Sequence, residues 1–285
     1  MTPGSAHGTC TPNITPTPAP TAPTAPYRHL GVRVGPVTVI GVSSLAKETV
    51  ERIRSAWADL AGIRRLERGA REVLVRADSA LSPPGWVGIL TLDGSLVVAV
   101  PSIELASLAS AAVAGLPIEH MPDPSLVASR FEGVEATLGP AALMYADESS
   151  LCPLTGTGVD QVTATDRRIA ELVESVSVED RREADVLRST SRMFVAMHGD
   201  EIVSVCGYRV WVGALAHLSV LTRPDVRNRG LAKSVGAAAA ADALANGLVP
   251  QWRARPEASQ AVGRSLGFEA LGAQLSLRIT AASSS

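Results

Sequence analysis

The sequence predicts an α/β (α+β) fold, and three local patterns carry this prediction. Two of them are hairpins, in which β-rich runs flank Asp93-Gly94 and the turn at residues 198–200. An Asp-Gly pair between such runs is the strongest short-range hairpin signal. The third pattern is a strand at residues 215–222 that leads, after a short turn, into an alanine-rich helix. Strands interleaved with helical runs favour a sheet flanked by helices.

The composition is that of a soluble protein long enough for two domains. The 285 residues are 46% hydrophobic and 19% charged, with a formal net charge of −2. This nearly balanced charge gives no overall positive potential that would attract nucleic acid. No apolar run reaches the roughly 18 residues of a membrane span. Three cysteines without CxxC spacing favour a reducing compartment over disulfides or zinc. We therefore expect a cytoplasmic protein without nucleic-acid, membrane or metal partners.

The chain divides into three predicted segments. Residues 1–26 are rich in Pro, Thr and Ala and predict a disordered tail. Residues 27–157 predict an N-terminal α+β domain with strands at 32–34, 37–40, 72–76 and 141–145, helices at 46–60 and 103–114, the first hairpin, and a linker at 146–157. Residues 158–280 predict a C-terminal domain that opens with helices at 163–173 and 178–187. Both domains run from helix to hairpin, so the first is a candidate degenerate duplicate of the second.

The stretch around Gly230 has the pattern of a phosphate-binding helix start. The strand at residues 215–222 and the turn at 223–226 lead into Arg227-Asn228-Arg229-Gly230-Leu231-Ala232-Lys233. The first amides of a helix are unpaired and the dipole is positive there. Gly230 and Ala232 leave room for a phosphate, and the flanking cations add mobile positive charge. The pattern is neither a Walker loop nor a Rossmann fingerprint.

This stretch resembles the signature of the GNAT superfamily of N-acetyltransferases, in which Gln/Arg-x-x-Gly-x-Gly/Ala opens a helix after a splayed strand. Arg227, Gly230 and Ala232 meet the pattern. Downstream, a strand at residues 248–254 and a helix ending in Leu266-Gly267-Phe268 are similar to the family's next elements. The resemblance covers about residues 160–280, and residues 27–157 show none. It implies a mixed, mostly antiparallel central sheet flanked by helices, and a transferase that uses acetyl-CoA as co-substrate.

The resemblance also implies which residues hold acetyl-CoA. The backbone at the end of the strand should pair with the pantetheine arm, and the amides of the turn and first helical residues should hold the pyrophosphate. The thioester should lie between the strands of His217 and Trp252. The implied binding residues are Val220, Leu221, Thr222, Arg227, Asn228, Arg229, Gly230, Leu231, Ala232 and Lys233.

His217 is the candidate general base for amine acylation. It lies on the strand that borders the acceptor side, and an ordinary histidine pKa near 6.5 suits a base at neutral pH. A histidine hydrogen-bonded within the sheet is the alternative, and Ser219, on the same face, is a candidate relay. The family's usual acid, a tyrosine, is replaced by Gly263. Either the thiolate leaves without an acid, another residue serves, or the activity has decayed.

The sequence therefore supports two functional hypotheses. The leading hypothesis is an acyltransferase that moves an acetyl group from acetyl-CoA to a small-molecule or protein amine. The alternative is a non-catalytic acyl-CoA-binding or regulatory module, which the missing tyrosine favours. An acceptor pocket between the two domains is expected, because ligand sites favour domain interfaces. The acceptor's identity and the assembly state, monomer or homodimer, stay open.

Overall fold

Ten strands form one mixed sheet across residues 43–152 and 158–280, which are the residues that this computed structural model describes. The predicted tail and the strands at residues 32–34 and 37–40 lie outside that range. Neighbouring strands are antiparallel except for the pairs β1/β3 and β8/β9. In chain order the strands are β1 Arg71–Val75, β2 Val87–Leu92, β3 Ser95–Val100, β4 Val134–Tyr145, β5 Asp160–Val162, β6 Met193–His198, β7 Glu201–Trp211, β8 Leu215–Thr222, β9 Val249–Ala254 and β10 Glu269–Ile279.

Seven α-helices are found within the described residues. Of these, α3 is a single turn, whereas α1 and α6 each extend over 15 residues. The helices are α1 Lys47–Ala61, α2 Ile103–Val113, α3 Pro124–Ala128, α4 Arg167–Ser175, α5 Val178–Ala184, α6 Leu231–Ala245 and α7 Glu257–Ser265. None of the helices in these residues is long and apolar enough to cross a membrane.

The strand order joins the two predicted domains in one sheet. The order is β1-β3-β2-β10-β4-β9-β8-β7-β6-β5. The last strand, β10, therefore pairs with β2 on one side and β4 on the other, and β4 also pairs with β9. The predicted boundary after residue 157 consequently does not coincide with a division of the sheet. The mixed, mostly antiparallel sheet flanked by helices that the sequence predicts is confirmed.

Helices cover the two faces of the sheet around β8 and β9. On one face, Ile53 and Trp57 of α1 pack with Leu215 of β8 in a buried apolar cluster. Ala216, the next residue of β8, packs on the other face in the cluster that contains the alanines of α6. Those small side chains let α6 lie close to the sheet, and a Cβ on Gly236 would approach the Trp252 ring to 2.8 Å. His217, two residues after Leu215, thus lies on the α1 face.

Candidate active site

The strands β8 and β9 separate at His217. Their parallel pairing covers only Leu215, Ala216 and His217 of β8, whereas β8 continues to Thr222 and β9 to Ala254. On its other side β8 stays paired with β7 through Thr222. The predicted pantetheine partners Val220, Leu221 and Thr222 therefore lie on a strand with one open edge, beside the gap where the thioester was expected.

The start of α6 offers a run of unpaired backbone amides. Ser234 is the first residue whose N–H bonds to the preceding turn, at the carbonyl of Gly230. Among the described residues, the amides of residues 228–233 have no hydrogen-bond acceptor. Asn228 and Gly230 have positive φ values of 62° and 79°, which turn the chain sharply into the helix. A Cβ on Gly230 would meet no atom within 4 Å, so the approach to these amides is open.

Arg227 is held in place, which corrects the expectation of a mobile charge there. Its Nη2 lies 3.0 Å from Oδ2 of Asp180 on α5, and its Nε donates to the carbonyl of Thr222 at 3.2 Å. Arg229 and Lys233 are exposed and have no ion-pair partner within the described residues. Arg229 and Lys233 are therefore the unpaired cations at the helix start among the described residues, whereas Arg227 is paired with Asp180.

His217 is oriented by a chain of buried side chains. Its Nδ1 lies 2.8 Å from Oε1 of Gln251, whose Nε2 donates to the hydroxyl of Tyr145 at 3.0 Å. That hydroxyl also accepts from Nε1 of Trp57, on α1, at 2.5 Å. Since the Gln251 amide nitrogen is engaged with Tyr145, its oxygen accepts from His217. The imidazole proton is then on Nδ1, and Nε2 keeps its lone pair.

The electrostatic surroundings keep His217 neutral. Burial, and then the positive charge of Arg209, lower the pKa of His217 to about 3, and Arg253 adds to the effect. Arg209 is the cross-strand partner of His217 on β7. The Trp211 ring stacks on the imidazole, with 4.5 Å between the centroids and 9° between the planes. The ordinary pKa near 6.5 expected from the sequence is therefore wrong, because that value applies to a solvated histidine.

A cleft of about 370 Å³ opens at the separation of β8 and β9. Its wall comes from both halves of the chain. The N-terminal half contributes Ala80, Leu81, Ser82, Pro83 and Leu138. The C-terminal half contributes residues 182–185 and Arg188 near α5, Arg209 and Trp211 of β7, residues 217–220 of β8, Trp252, Arg253, Arg255, Ser259, Gln274 and Ser276. His217 and Ser219 thus line the same cleft.

The packing around Gly263 explains why no tyrosine occupies that position. A Cβ there would lie 3.1 Å from Cδ1 of Trp252 and 3.2 Å from Sδ of Met144, so a larger side chain would have to displace these neighbours. One turn earlier on α7, Ser259 lines the cleft. Its hydroxyl oxygen accepts from Nε1 of Trp252 at 3.1 Å and keeps its own proton to donate. The sequence pattern did not indicate Ser259, because a serine in a helix carries no signal by itself.

The strand separation, the open edge of β8 and the unpaired amides at the start of α6 follow one another along residues 217–233. Residues 185–273 match the family model described as GNAT acetyltransferase. This part of the chain is a GNAT acetyltransferase domain, as the sequence predicts. The match does not extend to the residues before 185, and no curated protein matches the chain significantly.

Several solved structures are similar to the chain. A GNAT-family protein from Novosphingobium aromaticivorans DSM 12444 is 20% identical, with a TM-score of 0.40 over 50% of this chain and 65% of that one. A GCN5-related N-acetyltransferase from Kribbella flavida is 14% identical, with a TM-score of 0.44 over 56% and 65%. A GCN5-related N-acetyltransferase-like protein from Streptococcus suis 89/1591 is 21% identical, with a TM-score of 0.41 over 71% and 86%. The match therefore covers 65% of the length of each of the first two proteins, just under two thirds.

No group of three or more His, Cys, Asp or Glu side chains suited to a metal ion occurs in residues 43–152 and 158–280. Of the cysteines in those ranges, Cys206 is buried and Cys152 is exposed. Burial raises the pKa of the Cys206 thiol, which therefore stays protonated.

Proposed function

We propose that the protein transfers an acetyl group from acetyl-CoA to the nitrogen of an amine. The observation that carries the proposal is the open edge of β8 beside the unpaired amides of residues 228–233. Val220, Leu221 and Thr222 would pair with the pantetheine arm. The amides at the start of α6, with Arg229 and Lys233, would hold the pyrophosphate. The thioester would then reach the cleft at His217.

The chemistry needs a neutral amine and a place for its proton. The amine nitrogen attacks the thioester carbonyl carbon and forms the N–C bond, and the C–S bond then breaks with coenzyme A leaving as thiolate. A histidine with a pKa of about 3 is too weak a base for a free alkylammonium ion. The nitrogen of the tetrahedral adduct is cationic and much more acidic. In our proposal Nε2 of His217 takes that proton, which finally neutralises the thiolate.

The leaving thiolate has one nearby donor in this proposal. Ser259 lines the cleft on the α7 side and keeps a free hydroxyl proton. It could donate a hydrogen bond to the departing sulfur and stabilise it without full proton transfer. Ser219, which was expected as a relay, lines the cleft beside His217 and stays a candidate for that role.

The alternative function is an acyl-CoA-binding module without turnover, favoured by Gly263 at the usual tyrosine position and by the low pKa of His217. Thiol release from acetyl-CoA, measured over a panel of amines, separates the two. Amine-dependent release that is lost in His217→Asn supports the transferase. Saturable acetyl-CoA binding with no release for any amine supports the module. His198→Asn, at the exposed end of β6, is the control.

A further inference from the structure

Arg253 is a half-buried cation without an acidic partner. It lines the cleft, and its Nε donates to Oε1 of Gln274 at 3.0 Å. Within the described residues, no carboxylate lies within 4 Å of the guanidinium, and its two terminal nitrogens have no acceptor. Withdrawing a charge from water without a partner is unfavourable. The terminal nitrogens are therefore free to bind an anionic group.

Two more nitrogens on the cleft wall lack acceptors. Nε of Arg209 and Nε1 of Trp211 are buried and have no hydrogen-bond partner within the described residues. Both side chains line the cleft, and the Arg209 guanidinium lies 5.4 Å from the centroid of the Trp211 ring. These groups can only donate hydrogen bonds. The wall near His217 therefore carries hydrogen-bond donors that have no acceptor among the described residues.

The two acidic residues of the cleft are already engaged. Glu183 forms a bidentate pair with Nε and Nη2 of Arg255. Asp185 lies 3.5 Å from Nη1 of Arg209 and 3.8 Å from Nη1 of Arg188. Neither neutralises Arg253. Burial, and then the positive charge of Arg255, lower the pKa of Arg253 to about 10; Arg209 acts in the same direction, and Glu183 opposes them only in part. A bound anion would relieve this repulsion.

We propose that the acceptor is an amine that also carries a carboxylate, which Arg253 binds while the amine lies at His217. This inference rests on the proposed acetyl transfer. His217 pairs with Gln251 across β8 and β9, and Arg253 follows Gln251 by two residues on the same face. Strand geometry places the Cα atoms of His217 and Arg253 on the order of 8 Å apart. That span suits amino acids, and the guanidinium fork matches one carboxylate.

The test compares amines in matched pairs. Each α- and ω-amino acid is assayed for thiol release beside its carboxamide, with phosphoethanolamine as the phosphate-bearing member. We expect carboxylates to exceed their carboxamides about 10- to 100-fold in kcat/KM, the range for a hydrogen-bonded ion pair. The same pairs are titrated by calorimetry into the complex with coenzyme A, a readout that needs no turnover.

The variant Arg253→Gln assigns the preference to this residue. We expect its KM for amines that carry a carboxylate to rise until the preference over carboxamides is lost. Its activity on the carboxamides should change little. Arg253→Lys keeps the positive charge but lacks the two parallel N–H donors of the guanidinium. It should therefore show part of the parent's preference for carboxylates. Arg167→Gln, an exposed side chain on α4, is the control that should behave like the parent.

The outcomes separate this inference from the proposed function. Turnover that is equal for carboxylates and carboxamides, or faster with phosphoethanolamine, overturns the carboxylate acceptor and leaves acetyl transfer standing. A preference that survives in Arg253→Gln also overturns it. Carboxylate-selective binding to the coenzyme A complex without any turnover supports the anion site and contradicts acetyl transfer. Binding without selectivity and without turnover contradicts both.

Discussion

Nδ1 of His217 lies 2.8 Å from Oε1 of Gln251, at the last position where β8 and β9 are paired. The contact fixes the imidazole where the sheet opens into the cleft. Gln251 is fully buried and carries the hydrogen bond onward to Tyr145 and Trp57, in the N-terminal half of the chain. The orientation of the proposed base therefore depends on residues that the family match does not cover.

Replacing Gln251 by Leu should impair catalysis more than binding. The change removes the acceptor for Nδ1 of His217 and a donor to Tyr145, so the tautomer is no longer fixed. We expect kcat to fall about 100-fold, the low end for general-base catalysis, and stability to fall by about 1–3 kcal/mol. Steady-state kinetics and urea unfolding measure the two effects.

The control for this change is Gln260→Leu. Gln260 is also buried, but its amide donates to the carbonyl of Arg255 and does not contact His217. It should lose similar stability and keep kcat. Equal losses of kcat in the two variants would show that the effect comes from packing and would contradict the positioning role of Gln251.

The low pKa of His217 predicts a pH dependence of stability. The folded pKa of about 3 lies below the value of free histidine, about 6.5. Between these values the unfolded chain binds more protons, so the contribution of His217 is present above pH 6.5 and is lost as the pH falls. Urea unfolding at pH 7.5 and pH 5 should show a larger loss for the parent than for His217→Gln. Identical losses would mean that His217 titrates normally in the folded protein.

Introducing the missing tyrosine should not restore an acid. Gly263→Tyr places a ring against Trp252 and Met144, where even a Cβ would be 3.1–3.2 Å from its neighbours. We expect a loss of about 1–3 kcal/mol in the free energy of unfolding from overpacking, with no gain in kcat. Ser265→Tyr, at an exposed position of α7, should change stability by less than about 0.5 kcal/mol. A stable and faster Gly263→Tyr enzyme would contradict the packing account.

Releasing Arg227 should strengthen acetyl-CoA binding. Asp180→Asn removes the carboxylate that now lies 3.0 Å from Nη2 of Arg227. An exposed ion pair is weak, so we expect the Kd to fall about 2- to 5-fold at low salt. The gain in affinity should disappear near 1 M salt, because salt at that concentration screens the attraction between Arg227 and the phosphates of acetyl-CoA. Glu174→Gln, exposed on α4, should leave the Kd unchanged. Weaker binding in Asp180→Asn would mean that the pair positions Arg227 for the phosphate.

Local patterns predicted the elements around the site well. The strand predicted at residues 215–222 is β8 with the same bounds, and the helix predicted at 46–60 is α1, shifted by one residue. The Asp93-Gly94 turn joins β2 and β3, as expected, since both residues have positive φ. Such features depend on neighbours in the chain, and the sequence displays them directly.

Long-range contacts could not be predicted in the same way. β10 pairs with β2 and β4 across separations of well over 100 residues, and nothing in its sequence specifies these partners. The same holds for His217, whose pKa depends on burial and on Arg209 and Arg253 from other strands. The unpaired hydrogen-bond donors of Trp211 and Arg253 could be identified only in the folded sheet, which brings both side chains to one cleft.

In our proposal, acetyl-CoA binds at the start of α6. Calorimetric titration of the parent, Ala232→Glu and Ala241→Glu with acetyl-CoA is the test of this binding site. Ala232 lies among the unpaired amides of the first turn, where Glu suits the helix dipole but would repel a phosphate. Ala241 is exposed further along the same helix. We expect both variants to fold like the parent, and the two positions differ in their distance from the proposed pyrophosphate.

We predict saturable binding in the micromolar range, the lower part of usual KM values, by the parent and by Ala241→Glu, and none by Ala232→Glu. Absence of binding by the parent, or equal binding by all three proteins, would contradict the claim.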